Sequence, residues 1–142
     1  MKREVLSELA MRELGRDIGR QLKGGEVIEL VGDVGAGKTT LVKGIATGLG
    51  VEEDVQSPSF TISRTYQTAR LDLLLAHYDF YRLHDPGIMA SELGEVVNDK
   101  GVVTVVEWAE IVNDVLPDGH VRVTIIPTSE TARRVVIEGI EA

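Results

Sequence analysis

Residues 27–49, VIELVGDVGAGKTTLVKGIATGL, decide how the rest of the chain is read. Val27 to Val31 is apolar except for Glu29 and rich in β-branched side chains, the composition of a buried strand. Gly32 to Thr39 matches G-x-x-x-x-G-K-[ST] in full, and Leu41, Val42, Ile45, Ala46 and Leu49 follow at helical spacing. Strand, glycine loop and helix thus stand in the order of a phosphate-binding loop. Gly32, Gly35 and Gly37 permit backbone angles that a Cβ opposes, so successive N–H groups converge on one anion. The helix starting near Lys38 adds its unpaired N–H groups and the positive end of its dipole. Lys38 brings a mobile cation to the β/γ-phosphates, and the Thr39 hydroxyl is a ligand for Mg²⁺. A glycine-rich turn before a helix is the plain alternative, and the flanking elements weigh against it.

At 142 residues the chain reads as one domain, 1–142, with a single core. It holds no run of 18 apolar residues, and its first stretch, MKREVLSELAMRELG, lacks the unbroken apolar segment of a signal peptide. With no cysteine, disulfides, thiolate metal sites and cysteine nucleophiles are excluded, and a cytoplasmic location is expected. The balance is acidic, 15 Lys+Arg against 23 Asp+Glu, with no basic cluster beyond Arg133-Arg134. A chain that grips nucleic acid unaided needs a basic face. Any nucleic acid here is expected to be held by a partner.

Residues 5 to 22 place Leu6, Ala10, Leu14, Ile18 and Leu22 four apart, with Leu9 widening the stripe, which predicts an amphipathic helix stopped by Gly24-Gly25. Packing against the sheet is favoured over partner binding for its apolar face. Gly15 and Gly19 each cost about 1 kcal/mol against Ala there, and Ala10 is the expected point of close approach. Beyond the second helix, Ser57-Pro58-Ser59 enters a strand expected over Phe60 to Gln67. The hydroxyls of Ser57, Ser59 and Thr61 are either an ordinary loop or a segment that senses a γ-phosphate or Mg²⁺.

Leu73 to Ala76 reads as a buried strand ending on His77-Tyr78-Asp79-Phe80-Tyr81-Arg82, and 73–80 could form a hairpin with 60–67. Alternation puts His77, Asp79 and Tyr81 on one face. Asp79 is either a Mg²⁺-linked carboxylate or the cap of a turn, paired with Arg82. Residues 84–100 suggest one or two short helices. Val102 to Val106 form a central strand parallel to the first, closing on Glu107 and the single Trp, Trp108. Parallel strands keep their ligand sites at the carboxyl ends, so Glu107 is expected to point at the glycine loop. Trp108 is either core or a lid. A short helix is expected over 109–116, then a turn at Pro117-Asp118-Gly119 and an antiparallel pair, 121–126 with 133–138. Arg133 and Arg134 are either solvated or within reach of a nucleotide.

No D-x-x-G or N-K-x-D guanine signature occurs, which favours ATP, and residues 83–119 hold no arginine for the closing lid of a small-molecule kinase. Taken in order, GDVGAGKTT (32–40), SPSFT (57–61), HYDFYRL (77–83) and VEWAE (106–110) resemble the TsaE (YjeE) family over nearly the whole chain. Those are bacterial ATPases needed to make threonylcarbamoyladenosine at position 37 of tRNAs that read codons beginning with A. The resemblance implies an α/β single-domain P-loop NTPase with a mixed, mostly parallel sheet. Its cofactors are ATP and Mg²⁺, and its partner is a TsaD–TsaB complex that itself meets the tRNA. Hydrolysis, weak in the chain alone, is implied to reset that complex between rounds. Carried over, Lys38, Glu107 and Asp79 are the catalytic set, with Thr39 and Glu107 on Mg²⁺. Asp33, Gly35, Ala36, Gly37, Lys38, Thr39, Thr40 and Trp108 meet the nucleotide, and Ser57, Ser59 and Thr61 form the switch. Ser59 stands where the family's switch usually has Thr, so slightly looser positioning is expected. A phosphotransferase and a non-hydrolysing nucleotide-gated module remain the alternatives.

Overall fold

In a computed structural model that describes residues 1–140 apart from Val34, Ser59, Phe60, His84 and Pro86, the apolar periods become seven strands and three helices with one 3₁₀ segment. The order is β1 (Lys2–Val5), α1 (Glu8–Gln21), β2 (Val27–Val31), α2 (Lys38–Gly48), β3 (Ser63–Gln67), β4 (Leu74–Asp79), α3 (Gly87–Val96), β5 (Val102–Glu107), a 3₁₀ segment (Ala109–Val115), β6 (Val121–Pro127) and β7 (Arg133–Glu138). The strands form one sheet in the order β1-β7-β6-β2-β5-β4-β3. β6, β2, β5 and β4 run parallel, and antiparallel β3 and β7 flank them. β1 pairs antiparallel with β7 and so points the same way as the parallel core. The glycine loop leaves the sheet at β2, the middle strand, between two strands formed much later in the chain. That is the topological position at which open α/β sheets bind ligands.

One face of the sheet, with Ile28, Leu30, Leu75, Val103 and Val105, packs under α1 and α2. The other, with Val27, Ala76, Tyr78 and Val106, packs under α3 and the 3₁₀ segment. Glu29 falls on this second face at 7% exposure, where His120 Nε2 at 2.8 Å and Arg122 Nε at 3.2 Å hold its carboxylate. Burial without such partners would be costly. Among the described residues no helix is long and apolar enough to cross a membrane.

The start of the chain departs from the expected helix over 5–22. Residues 2–5 instead add an edge strand, and Ser7 caps α1 by accepting the Ala10 N–H at 3.0 Å. Leu6 and Leu9 are 70% and 67% exposed, so neither belongs to the buried stripe, which runs through Met11, Leu14, Gly15, Ile18 and Gly19. The close approach lies at those glycines rather than at Ala10. A Cβ on Gly15 would stand 2.4 Å from Leu41 O, and one on Gly44 would stand 2.2 Å from Arg12 O. The two helices therefore touch backbone to backbone, which only glycine allows. β3 begins at Ser63, later than the expected Phe60, which lies outside the described residues. The β3–β4 and β6–β7 hairpins form as the alternation implies.

Candidate functional site

The loop after β2 turns through two glycines with positive φ, Gly35 (83°) and Gly37 (110°), the second being the N-cap of α2. Positive φ at loop glycines is the conformation that allows loop amides and the first amides of a helix to face one anion. Lys38, first residue of that helix, is 6% exposed and donates from Nζ to Gly32 O at 2.6 Å. From the other side, Arg133 Nε donates to Ala36 O at 3.0 Å, while its Nη1 donates to Ser129 O at 3.0 Å and Ala132 O at 2.9 Å. Arg133 thus ties the loop to the β6–β7 turn.

The two strand-end carboxylates arrive by register. Parallel pairing sets Asp79 opposite Glu107, and both are buried, at 5% and 3% exposure. Glu107 Oε1 lies 3.9 Å from Lys38 Nζ, and Glu107 Oε2 lies 2.5 Å from His77 Nε2. Asp79 Oδ1 accepts the Tyr81 N–H at 3.0 Å, and its Oδ2 accepts from Ser57 Oγ at 3.4 Å. Asp79 therefore does what a turn cap does while facing the same space as Glu107. Burial pushes the Lys38 pKa below its ordinary 10.5, and the charges of Glu107, Asp79, Asp33 and Glu110 oppose that shift.

Trp108 follows Glu107 in the left-handed region (φ 55°, ψ 51°), a conformation that costs a non-glycine residue roughly 1–2 kcal/mol. The turn swings the indole over the site. Lys38 Nζ sits 4.0 Å from its ring centroid, a cation–π contact, and Tyr81 stacks on it at 4.9 Å. Half-buried Trp108 is thus a wall beside the lysine rather than a core residue.

A cavity of about 410 Å³ opens among Lys38, Thr39, Ser57, Asp79, Glu107 and Trp108. A second, of about 570 Å³, adjoins it across the loop, lined by Leu6, Met11, Glu8, Glu130, Thr131 and Arg133. Gly35, Gly37 and Thr40 line both. Ala36 is buried beneath the loop, and Asp33 is exposed with its carbonyl accepting the Ala36 N–H at 3.0 Å. Of the expected switch hydroxyls, Ser57 lines the first cavity. Thr61 is exposed and turned to Pro58 O and Ser63 O, and Ser59 lies outside the described residues. Among the described residues no group of three acidic, histidine or cysteine side chains forms a metal cage. The donors present, a Thr39 hydroxyl with no side-chain bond among the described residues and an adjacent carboxylate, fit Mg²⁺. That ion takes one or two protein oxygens and completes its shell with phosphates and water.

Sequence reasoning did not assign roles to His77 or Tyr81, although alternation had put both on the face of Asp79. Arg133 lines the second cavity, and its guanidinium is committed to backbone carbonyls there.

With this geometry in view, the comparisons agree with one another. A family model described as "Threonylcarbamoyl adenosine biosynthesis protein TsaE" matches residues 5–135. The tRNA threonylcarbamoyladenosine biosynthesis protein TsaE of Streptomyces coelicolor is 37% identical over 134 residues, covering 92% of this chain and 90% of that protein. Its Bacillus subtilis namesake is 38% identical over 120 residues, covering 83% and 72%. A crystal structure of Bacillus subtilis YdiB superposes with a TM-score of 0.82 at 30% identity, covering 99% of this chain and 86% of that one.

Proposed function

The chain belongs to the TsaE family, whose role lies in tRNA threonylcarbamoyladenosine biosynthesis, and we propose that within that pathway it is a Mg²⁺-dependent ATPase. The observation that carries this reading is the meeting of Lys38, Thr39, Asp79 and Glu107 in one cavity at the carboxyl ends of parallel strands. The loop amides and Lys38 bind the β/γ-phosphates, and the adjoining cavity, apolar at Leu6 and Met11, receives the nucleoside. Thr39 and Glu107 would hold Mg²⁺, which when bound would supply charge neutralisation on the phosphates. Glu107 orients or activates the water that attacks the γ-phosphorus. Asp79, tied to Ser57 and to the Tyr81 amide, couples the phosphate end of the cavity to the switch segment and the surface.

The partner is the TsaD–TsaB complex in the cytoplasm, with tRNA met through that complex. An acidic chain of formal charge −8 suits such indirect contact. Hydrolysis then resets the complex between rounds. The test is phosphate release from labelled ATP, with and without TsaD–TsaB and tRNA. The expected result is turnover that rises sharply in the full mixture and collapses in Glu107→Gln. Label carried to an acceptor other than water would make the protein a phosphotransferase, and tight ATP binding with no turnover in any mixture would make it a nucleotide-gated module.

A further inference from the structure

We propose that His77 is a positioning residue for Glu107. Its Nε2–H fixes one carboxylate oxygen so that the other is held toward Lys38 and the cavity. The proposal deepens the hydrolase reading and rests on it for its kinetic consequence. His77 lies on β4, wholly buried, on the same face as Leu75 and paired in register with Val105. Its ring makes one hydrogen bond among the described residues, to Glu107 Oε2 at 2.5 Å, and Nδ1 has no partner among them. A buried polar nitrogen with nothing to bond costs stability, so packing alone favours an apolar side chain at this position. What the imidazole supplies is a single N–H aimed at a carboxylate. Because the carboxylate only accepts, the ring donates to it from Nε2.

Glu107 needs such a tether. It is the last residue of β5, next to the strained turn at Trp108, and a glutamate has three rotatable side-chain bonds. With Oε2 tied at 2.5 Å, Oε1 faces Lys38 Nζ at 3.9 Å. This is the relation by which a hydrogen bond from outside the reacting set orients a catalytic or metal-binding oxygen.

The experiment compares His77→Leu, which fills the space without a donor, with His77→Gln, which keeps an N–H near the position of Nε2. In the presence of TsaD–TsaB and tRNA, His77→Leu should lower kcat for ATP about 10–100-fold. KM for ATP should move less than roughly threefold, while the Tm should fall, because leucine leaves the buried Glu107 carboxylate without its donor. His77→Gln should recover most of kcat. A full kcat in His77→Leu overturns the proposal, as does a joint fall of kcat and Tm that glutamine fails to rescue. If the wild-type protein releases no phosphate in any mixture, the hydrolase reading fails on its own. The tether is then read directly from the ¹⁵N-labelled histidine ring. The His77 Nε2–H resonance should lie far downfield and move in Glu107→Ala, and a resonance indifferent to that substitution overturns the proposal.

Discussion

Gly44→Ala tests the contact that seats α2, the helix that begins at Lys38. Replacing a mid-helix glycine by alanine ordinarily stabilises a protein by about 1 kcal/mol, because the unfolded chain loses freedom. At Gly44 the new Cβ would fall 2.2 Å from Arg12 O and 2.9 Å from Gly15 Cα. Both are backbone atoms, so no side chain can rotate aside, and α1 and α2 must part by roughly an ångström. Overpacking of this kind costs about 1–3 kcal/mol, and separation also loosens the contacts at Gly19 and Gly48. Setting the propensity gain against a cost near the upper end leaves a net loss of about 1–2 kcal/mol. Gly94→Ala is the control. It sits in α3, where the nearest atom to a new Cβ is Val115 Cγ1 at 3.6 Å, an ordinary contact. It should gain about 0.5–1 kcal/mol. Urea denaturation followed by the fluorescence of the single Trp reads both. Because α2 begins at Lys38, Gly44→Ala should also weaken nucleotide binding, measured by the same fluorophore. A Gly44→Ala protein as stable as wild type, or two substitutions that shift stability the same way, would refute the reasoning.

Ser7→Ala removes the acceptor that holds the Ala10 N–H, and urea denaturation should show a loss of about 1 kcal/mol. Arg133→Ala removes the guanidinium donors to Ala36 O, Ser129 O and Ala132 O, so hydrogen exchange should quicken at the amides of residues 35–39 and nucleotide affinity should fall. Burial raises the Tyr78 pKa to about 12 from 10, with the charge of Glu92 adding to the shift, so the folded chain keeps a proton that the unfolded chain releases. Stability is accordingly lost as pH rises from 10 toward 12, and Tyr78→Phe should lessen that alkaline slope in a pH series of unfolding curves.

What the sequence made legible was local. Five consecutive β-branched residues at 102–106 mark β5, and a full loop motif between an apolar strand and a helical period marks β2 and α2. The opening residues resisted for physical reasons. β1 is four residues long, with Lys2, Arg3 and Glu4 before Val5, and its pairing partner β7 begins at Arg133. No short-range pattern announces an edge strand of that kind. The helix stripe was misassigned at Leu6 and Leu9 because two of its true contact positions, Gly15 and Gly19, carry no side chain to count as apolar. Glu107 could be proposed as a site carboxylate from its place at a strand end, whereas its hydrogen bond to His77 could not. His77 looks like a polar interruption in an apolar run until β4 and β5 are set in register.

That register also links the buried end of the cavity to the protein surface. Lys38 already has Gly32 O at 2.6 Å, Glu107 at 3.9 Å and the face of Trp108 at 4.0 Å. A phosphate reaching the lysine must compete with these partners, so its binding energy is a difference between two sets of contacts rather than the full Coulomb gain. The same set extends outward. Trp108 stacks on Tyr81, Tyr81 is 52% exposed, and its amide is held by Asp79. A protein that docks on this rim and shifts Tyr81 alters the surroundings of Lys38 and Asp79 together, through contacts that are each one residue long. Such a chain of packed and hydrogen-bonded groups would carry a displacement at the surface inward to the lysine and the carboxylate.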